Sequence, residues 1–223
     1  KFTEKYNIKV HVLSLGTGQA IEVGKRGNAD ILIVHHEPSE IDFINKGYGS
    51  LRLNFMYNEY ILVGPKKNKL SCNTIDKILS EIINNKYNFI SRDDGSGTHE
   101  KEKELWSKIG LNTDNFSYWY KKIGQGMGPA LLMANEIGGY TLTDKGTWLK
   151  FDRIDNLKKI CISGNKPIIN QYSIILVNSI KKNNLRKENS KKYIDWIITK
   201  DAENLINSYR IKNEQLFFYN YKR

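Results

Sequence analysis

The residues whose types could best bind a ligand lie in one turn. This turn follows a short apolar stretch and precedes a charged, amphipathic one. The spacing predicts a strand, a turn and a helix, so that Ser96, Gly97 and Thr98 lie at the helix N-terminus. Backbone N–H groups at such a terminus have no partner within the helix and attract anions. Together with the nearby cation Arg92, the turn predicts a pocket for an oxyanion.

Each of these residues also has a purely structural interpretation. Arg92 could form a salt bridge with Asp93 or Asp94 instead of contacting a ligand. Ser96 and Thr98 could simply cap the helix, since both are preferred at helix N-termini. We hypothesise that the two aspartates face Arg92 or backbone N–H groups, because a carboxylate pointed at a fully deprotonated anion would repel it. A phosphate site would instead use an acceptor such as Asp94 for the proton of the bound anion.

Two further glycine-containing turns have the same strand–turn–helix form. Thr17 and Gly18 follow the predicted strand 8–13, and Gly126 and Met127 lie in a turn that Pro129 extends into a helix. Backbone N–H groups of both turns are candidate anion donors. The alternative is tight packing at positions where a Cβ atom would clash.

The elements that position these turns alternate between strand and helix patterns. This alternation predicts an α/β fold with mainly parallel sheets, in which ligands bind beyond the carboxyl ends of strands. The uninterrupted apolar run 31–34 favours a buried parallel strand. The predicted strands are 8–13, 31–34, 56–63, 140–142, 157–163 and 172–177. The predicted helices include 38–46, 74–82, 99–108, 129–137, 144–151, 190–199 and 201–209.

The composition is typical of a soluble globular protein, and it limits the possible partners. The 223 residues can form one large core or two modest ones, and 39% are hydrophobic and 26% charged. No apolar run approaches the roughly 20 residues that span a bilayer. The sequence shows no signal-peptide pattern, and a mature chain would show none. The net charge of +11 comes from scattered Lys and Arg without a nucleic-acid-binding motif. It reflects either a Lys- and Asn-rich composition of solvated faces or a basic surface that helps to recruit an anion.

Cysteine and histidine offer little evidence for metal binding. Cys72 and Cys161 could pair, but the sequence does not show that they are close. The run His35-His36-Glu37 lacks a helical His-x-x-x-His spacing, and we interpret it as structural. We therefore expect no metal site and no cofactor.

Catalysis is also a poor match to the motifs. Residues 95–97 do not form the Gly-x-Ser-x-Gly nucleophile elbow, and a catalytic triad would need His99, which we place in a helix. Residues 124–128 lack the Gly-Lys-Ser/Thr ending of a phosphate-binding loop. The sequence therefore favours a binding protein over an enzyme.

Ten short motifs occur in order along the chain, and each would be weak alone. Together they resemble the tungstate-binding proteins of bacterial ABC importers, a branch of the type II periplasmic binding proteins. They are Gly16-Thr17-Gly18-Gln19-Ala20, Ala29-Asp30-Ile31-Leu32-Ile33-Val34-His35, Met56-Tyr57-Asn58, Val63-Gly64-Pro65, Ser91-Arg92, Ser96-Gly97-Thr98-His99, Gly124-Gln125-Gly126-Met127-Gly128, Tyr140-Thr141-Leu142-Thr143-Asp144, Gly146-Thr147 and Gln215-Leu216-Phe217.

The resemblance implies two α/β lobes joined by a two-strand hinge. One lobe would comprise residues 1–63 and 173–223 and the other residues 64–172. The protein would capture tungstate, or molybdate, in a cleft between the lobes and deliver it to a membrane permease driven by an ATPase. We expect a monomer that is periplasmic or held at the bacterial cell surface by a lipid anchor, with no nucleic-acid partner and with membrane contact only through the permease or the anchor.

Two departures from the family pattern concern the anion site. The family has a Thr/Ser-rich donor segment after its first strand, whereas this chain starts in what reads as the end of a helix, so we expect a preceding element. The family also reads Ser-Arg-Gly-Asp-Asp-Ser-Gly-Thr-His, and here Asp93 and Gly95 exchange the Gly and Asp positions. We expect the exchange to alter the turn beside Arg92.

Two alternative functions remain open. The ligand could be another tetrahedral oxyanion, phosphate or sulfate. Alternatively, the chain could be the ligand-sensing domain of a transcription regulator, because type II binding folds also occur there. A helix-turn-helix segment elsewhere in the full protein would favour the regulator, and a signal or lipoprotein sequence would favour the transport protein.

Overall fold

The computed structural model describes residues 1–67, 70–152, 154–164, 167–178 and 184–222. By its internal contacts the chain forms two compact units, one of residues 1–58 with 170–223 and one of residues 59–169. The predicted boundaries lie a few residues further along the chain. The first division falls inside a strand, Gly49–Pro65.

Helices and strands alternate through most of the described chain. The helices are α1 (Phe2–Tyr6), α2 (Thr17–Lys25), α3 (Glu37–Asn45), α4 (Ile75–Asn84), α5 (Gly97–Lys108), α6 (Met127–Ile137), α7 (Lys145–Lys150), α8 (Asn184–Ile197) and α9 (Lys200–Ser208), with a 3₁₀ turn at Thr113–Asn115. The strands are β1 (Ile31–Val34), β2 (Gly49–Pro65), β3 (Phe89–Ser91), β4 (Tyr120–Lys122), β5 (Thr141–Asp144), β6 (Leu157–Lys159), β7 (Ile168–Val177), β8 (Arg210–Ile211), β9 (Glu214–Gln215) and β10 (Phe218–Tyr219).

The first unit is built on antiparallel strands, with β7 paired to β1 and β10 paired to β2. Its core has two clusters. One surrounds Phe55 and Ile174 and includes Phe2 of α1 and Trp196 of α8. The other surrounds Phe43 of α3 and lies against β1 and β7.

The second unit contains the parallel pair β3 and β4, and β5 and β6 pair antiparallel with the last part of β2. An aromatic cluster around Trp106 and Phe89 joins α4 and α5 to this unit's core. A second cluster packs α6, through Ala130 and Leu131, against Ile90 of β3. Both clusters therefore hold helices against the strands that lead into the predicted anion turns.

The prediction of mainly parallel sheets is wrong for the described strands. β1 pairs antiparallel with β7, and its alternate residues Leu32 and Val34 are buried while Ile33 is 42% exposed. The continuous apolar run therefore does not indicate burial on both faces. A short edge strand can carry apolar residues on its outer face without the parallel neighbours that we inferred.

The predicted strand 8–13 is also wrong, because the structure has no strand there. Val12 is 79% exposed and Leu13 66% exposed. Alternating apolar residues favour a strand, but a strand persists only when its backbone N–H and C=O groups pair with a neighbour. No described strand pairs with this segment.

Cys72 and Cys161 form a disulfide, with Cα atoms 4.9 Å apart. Both residues lie in the second unit. The adjacent residues Asn73 and Ile162 form a parallel β-bridge that brings the two segments together. The pairing that the sequence left open is thus present.

Among the helices that the structure describes, none has the length and apolar character needed to cross a bilayer.

Candidate functional site

The parallel pairing of β3 and β4 brings two predicted anion turns of the second unit together. Ser91 at the end of β3 is in register with Lys122 at the end of β4. Beyond the strands, the backbone N–H of Gln125 donates to the carbonyl of Arg92 at 3.0 Å. The turn before α5 and the turn before α6 therefore lie side by side at the carboxyl ends of these strands, where α/β proteins bind ligands.

Ser96 is the N-cap of α5, as the structural interpretation predicts. Its hydroxyl accepts a hydrogen bond from the backbone N–H of His99 at 3.4 Å. The Ser96 hydroxyl also contacts the Asp94 carboxylate and helps to lower its pKa. Gly97 begins the helix, and the buried Thr98 follows it. Ser96 therefore holds the turn in shape, and its hydroxyl would have to reorient to donate to an anion.

Arg92 forms a salt bridge with Asp94, with Nη2 2.5 Å and Nε 3.1 Å from the same carboxylate oxygen. The other oxygen of Asp94 accepts the Ser96 backbone N–H at 3.1 Å. Burial raises the pKa of Asp94, but the hydrogen bonds from Ser96 and Arg92 outweigh it, and that pKa lies below its usual range. Asp94 thus faces Arg92 and a backbone N–H, as we hypothesised. The guanidinium has five N–H donors, so this pair leaves others for a ligand.

The exchanged residues Asp93 and Gly95 both adopt left-handed backbone conformations, with φ of 47° and 66°. Asp is one of the few non-glycine residues that tolerate this region, and Gly95 meets the same requirement without strain. The prediction for Asp93 is wrong, because its carboxylate lies 3.4 Å from Nε2 of His99 and not beside Arg92. The left-handed turn at residue 93 carries its side chain toward α5.

His99 secures the turn from within the helix. Its Nδ1 accepts the backbone N–H of Gly95 at 3.1 Å, so Nδ1 carries no proton and Nε2 bears the ring proton. Burial lowers the pKa of His99, and the neighbouring Asp93 opposes that shift. A neutral ring therefore anchors the first turn residues to the helix.

The N-terminus of α6, where the predicted donors Gly126 and Met127 lie, has no side-chain cap. Gly126 is the N-cap, and no side chain caps this helix. A Cβ atom at Gly126 would meet nothing within 4 Å. Met127, the first helical residue, is buried. The tight-packing alternative is therefore wrong for Gly126, and unpaired N–H groups remain at this terminus.

In the first unit, Thr17 and Gly18 begin α2, whose N-cap Gly16 provides no side-chain cap. A Cβ atom at Gly18 would also meet nothing within 4 Å, so tight packing is wrong here too. The Thr17 hydroxyl is buried, and it has no hydrogen-bond partner among the described residues. Because a buried hydroxyl is normally paired, this one is a candidate ligand donor.

The sequence interpretation missed Glu102, a buried carboxyl group on the same helix as Thr98. Only 3% of Glu102 is exposed, and its Oε1 accepts the hydroxyl of Tyr120. Its spacing of three and four residues from Leu105 and Trp106 places it on the apolar face of α5, and that was the available signal.

The His35-His36-Glu37 run has structural partners. His36 is the N-cap residue of α3, and its Nδ1 lies 2.6 Å from Ser39 Oγ. Its backbone N–H donates to Glu40, which is buried and also bonded to Arg52 and Ser173. No cluster of three or more metal-ligating side chains occurs among the described residues.

Comparisons with known proteins agree on the family. Residues 1–201 match the model of the PBP superfamily domain. The chain is 39% identical over 214 residues to the tungstate-binding protein TupA of Peptoclostridium acidaminophilum, covering 94% of this chain and 74% of the relative. The solved structure of TupA from Desulfovibrio alaskensis G20 has a TM-score of 0.88 at 33% identity, over 99% of this chain and 90% of that one.

A second solved structure, described as the tungstate ABC transporter from Geobacter sulfurreducens, has a TM-score of 0.78 at 36% identity. It covers 93% of this chain and 89% of that one. These relatives are described by tungstate binding or tungstate transport and not by a catalytic activity. The chain therefore belongs to the PBP superfamily and, within it, to the family of the TupA tungstate-binding proteins.

Proposed function

We propose that this protein captures tungstate outside the cytoplasm and delivers it to the permease of an ABC importer. The observation that carries the proposal is the pair of adjacent helix N-termini beside Arg92, in a chain that is 39% identical to a TupA protein. Helix N-termini supply aligned N–H donors for an oxyanion, and a guanidinium adds charge-assisted hydrogen bonds. Molybdate, which has the same tetrahedral shape and charge, is the expected competitor.

The proposed donors are the eight residues that the sequence singled out, in two sets. The second unit contributes Arg92 together with backbone or hydroxyl donors of α5 and α6, and the first unit contributes the start of α2. They are Thr17, Gly18, Arg92, Ser96, Gly97, Thr98, Gly126 and Met127. The buried Thr17 hydroxyl, which has no partner among the described residues, supports its inclusion.

The arrangement at Asp94 favours a fully deprotonated anion over phosphate. Both carboxylate oxygens of Asp94 already accept hydrogen bonds, one from Arg92 and one from the Ser96 backbone. Accepting the proton of a monoprotonated phosphate would compete with these donors. Tungstate and molybdate carry no proton at neutral pH and need no such acceptor.

We further propose that the protein acts as a monomer in the periplasm or at the cell surface, without a cofactor. Its partners would be the permease and its ATPase. A lipid anchor would serve the same function as free diffusion in the periplasm, because both keep the binding protein near the permease.

The proposal is tested by thermal unfolding and calorimetric titration with tungstate, molybdate, phosphate and sulfate. A ligand that binds only the folded state raises the melting temperature by mass action. We expect tungstate to give the largest rise. A rise with phosphate or sulfate, and none with tungstate or molybdate, would refute the assignment.

Replacing Arg92 with alanine tests the cation. A lost charged hydrogen-bond partner costs about 1.5 to 3 kcal/mol, so we expect Arg92→Ala to weaken tungstate binding roughly tenfold to a hundredfold. Arg210→Ala, which removes an exposed arginine bonded to a helix carbonyl, is the matched control and should bind normally. Unchanged affinity in Arg92→Ala would assign Arg92 to the salt bridge with Asp94 alone.

A further inference from the structure

A buried carboxyl group connects the elements that hold the two donor turns of the second unit. Glu102 lies on α5, five residues after Gly97, which corresponds to a rise of roughly 7.5 Å along the helix. Its partner Tyr120 begins β4, the strand that leads to the turn before α6. The hydrogen bond therefore joins the helix of one donor turn to the strand that precedes the other.

No cation is among the groups that most strongly affect the pKa of Glu102. Tyr120 of β4 donates its hydroxyl to the carboxyl group, whereas Ser91 Oγ at the end of β3 and Trp106 Nε1 of α5 lie nearby without forming a hydrogen bond. All three polar groups lower the pKa of Glu102. Asp93 in the turn before α5 is a negative neighbour that raises it. Burial is the largest effect, and overall it raises the pKa of Glu102 to about 8.

The other elements that pack against α5 direct their charged groups elsewhere. On α4, Asp76 pairs with Lys108 at the far end of α5. On β5, Asp144 caps α7 through Thr147. In the 3₁₀ turn, Thr113 lowers the pKa of Tyr120 and is not among the strongest influences on the pKa of Glu102. The charged groups named on these elements are thus paired elsewhere, and the strongest influences on Glu102 include no cation.

We propose that Glu102 is a positioning residue for anion binding, which in its neutral form fixes α5 against β4 and in its ionised form opposes the bound dianion. The inference rests on the proposed function. Ionised Glu102 would add a negative charge behind the helix N-terminus that holds the anion, in a poorly solvated site. Anion binding and the proton on Glu102 therefore stabilise each other, and affinity falls as Glu102 loses its proton.

The size of the effect follows from the linkage between the two equilibria. If the bound dianion raises the pKa of Glu102 from about 8 by one unit, the dissociation constant rises about fivefold between pH 7 and pH 9. Below pH 7 the carboxyl group is neutral in both states, and this contribution to the pH dependence disappears.

The test is calorimetric titration of tungstate at several pH values between 6.5 and 9 with the wild type and Glu102→Gln. Glutamine keeps the shape of the side chain and cannot ionise, so its affinity should not show the alkaline loss. Glu104→Gln removes an exposed carboxylate from the same helix and should behave as the wild type. Identical pH profiles for the wild type and Glu102→Gln would overturn the inference.

A second variant keeps the test decisive if Glu102→Gln folds poorly. The Tyr120 hydroxyl lowers the pKa of Glu102, so Tyr120→Phe should move the alkaline loss of affinity to higher pH. A merely structural role of the bond would weaken binding equally at all pH values, and that result would contradict the inference.

The failure of this inference can be told apart from failure of the proposed function. The pKa of Glu102 can be measured without ligand by carbon-13 NMR of labelled glutamate, with Glu102→Gln identifying the signal. A normal carboxyl pKa would overturn the inference even if tungstate binds. A raised pKa without tungstate binding at any pH would refute the proposed function and, with it, the link to the anion.

Discussion

Asp94 and Glu102 are two carboxyl groups on either side of one helix N-terminus, and their surroundings move their pKa values in opposite directions. Burial disfavours the charge on both. Asp94 is compensated by Ser96 and Arg92, so its pKa falls below the usual range. Glu102 has the Tyr120 hydroxyl but no cation among its strongest influences, so burial prevails and its pKa rises to about 8. One aspartate therefore stays charged to hold Arg92, while the glutamate stays neutral to hold Tyr120.

The raised pKa of Glu102 makes stability depend on pH. In the unfolded chain this carboxyl group titrates near its ordinary pKa of 4.5, and in the folded protein near 8. Between these values only the folded state holds the proton, so this contribution to stability is complete below pH 4.5 and is lost as the pH rises to about 8. We expect the wild type to lose about 2 to 4 kcal/mol relative to Glu102→Gln across this window.

Urea unfolding at pH 5, 6.5 and 8 measures this difference. Glu104→Gln, an exposed change of the same chemistry, should run parallel to the wild type. Parallel curves for the wild type and Glu102→Gln would mean that Glu102 has a normal pKa.

At the scale of elements, the second unit contains the same strand–turn–helix arrangement in two places. β3 and β4 are parallel neighbours, and each ends in a turn that begins a helix. The two helices differ at their N-termini, since α5 is capped by Ser96 whereas α6 begins at Gly126 without a side-chain cap. The capped helix offers a shaped turn with an arginine, and the uncapped one offers exposed backbone donors.

Gly126→Ala tests whether the open N-terminus of α6 receives the anion. A Cβ atom there meets nothing within 4 Å, so the cost in stability should be about 1 kcal/mol or less. The methyl group would nevertheless occupy the space in front of the backbone donors. We expect tungstate affinity to fall at least about tenfold, because a clash between the methyl group and the anion would cost about 1.4 kcal/mol or more of binding free energy.

Thermal unfolding without ligand is the control for this variant. Gly139→Ala should instead lower the melting temperature without ligand, because its Cβ atom would lie 2.2 Å from Ile90 and would destabilise the fold. Normal affinity in Gly126→Ala would remove Gly126 from the proposed site.

At the scale of the whole molecule, two strands connect the two units, and both cross at an asparagine. Asn58 of β2 and Asn170 of β7 are the residues at which the division falls. Their buried side chains are hydrogen-bonded to each other at 2.7 Å. The two crossing strands are thus tied together at the point where the chain passes between units. The second unit has an additional covalent link, the disulfide of Cys72 and Cys161.

Removal of that disulfide should destabilise the protein strongly. Its cysteines are 89 residues apart, and closing a loop of that length destabilises the unfolded chain by about 4.6 kcal/mol in the entropic model. We expect Cys72→Ser with Cys161→Ser to lower the free energy of unfolding by about that amount, measured by urea titration. The wild type under reducing conditions should match the double variant, and equal stability of oxidised and reduced wild type would contradict this expectation.

The sequence predicted most elements because their local signals agree with their final packing. The apolar positions of α4 at three- and four-residue spacing form one face, on which Ile78, Leu79 and Ile82 are buried and Ile75 is partly buried. Strand pairing was predicted less well. The run Ile31–Val34 is equally compatible with parallel and antiparallel neighbours, and its antiparallel partner β7 lies far along the chain.

By itself, the sequence determined the α/β class, the turn with Ser96, Gly97 and Thr98 at a helix N-terminus, and the family. These depend on residue types at short spacings, where local sterics and hydrogen bonding act directly. Only the tertiary structure decided that Cys72 and Cys161 pair, that Asp94 rather than Asp93 holds Arg92, and that Glu102 is buried against Tyr120. Those outcomes depend on burial and on contacts between distant segments, which exist only after the chain has folded.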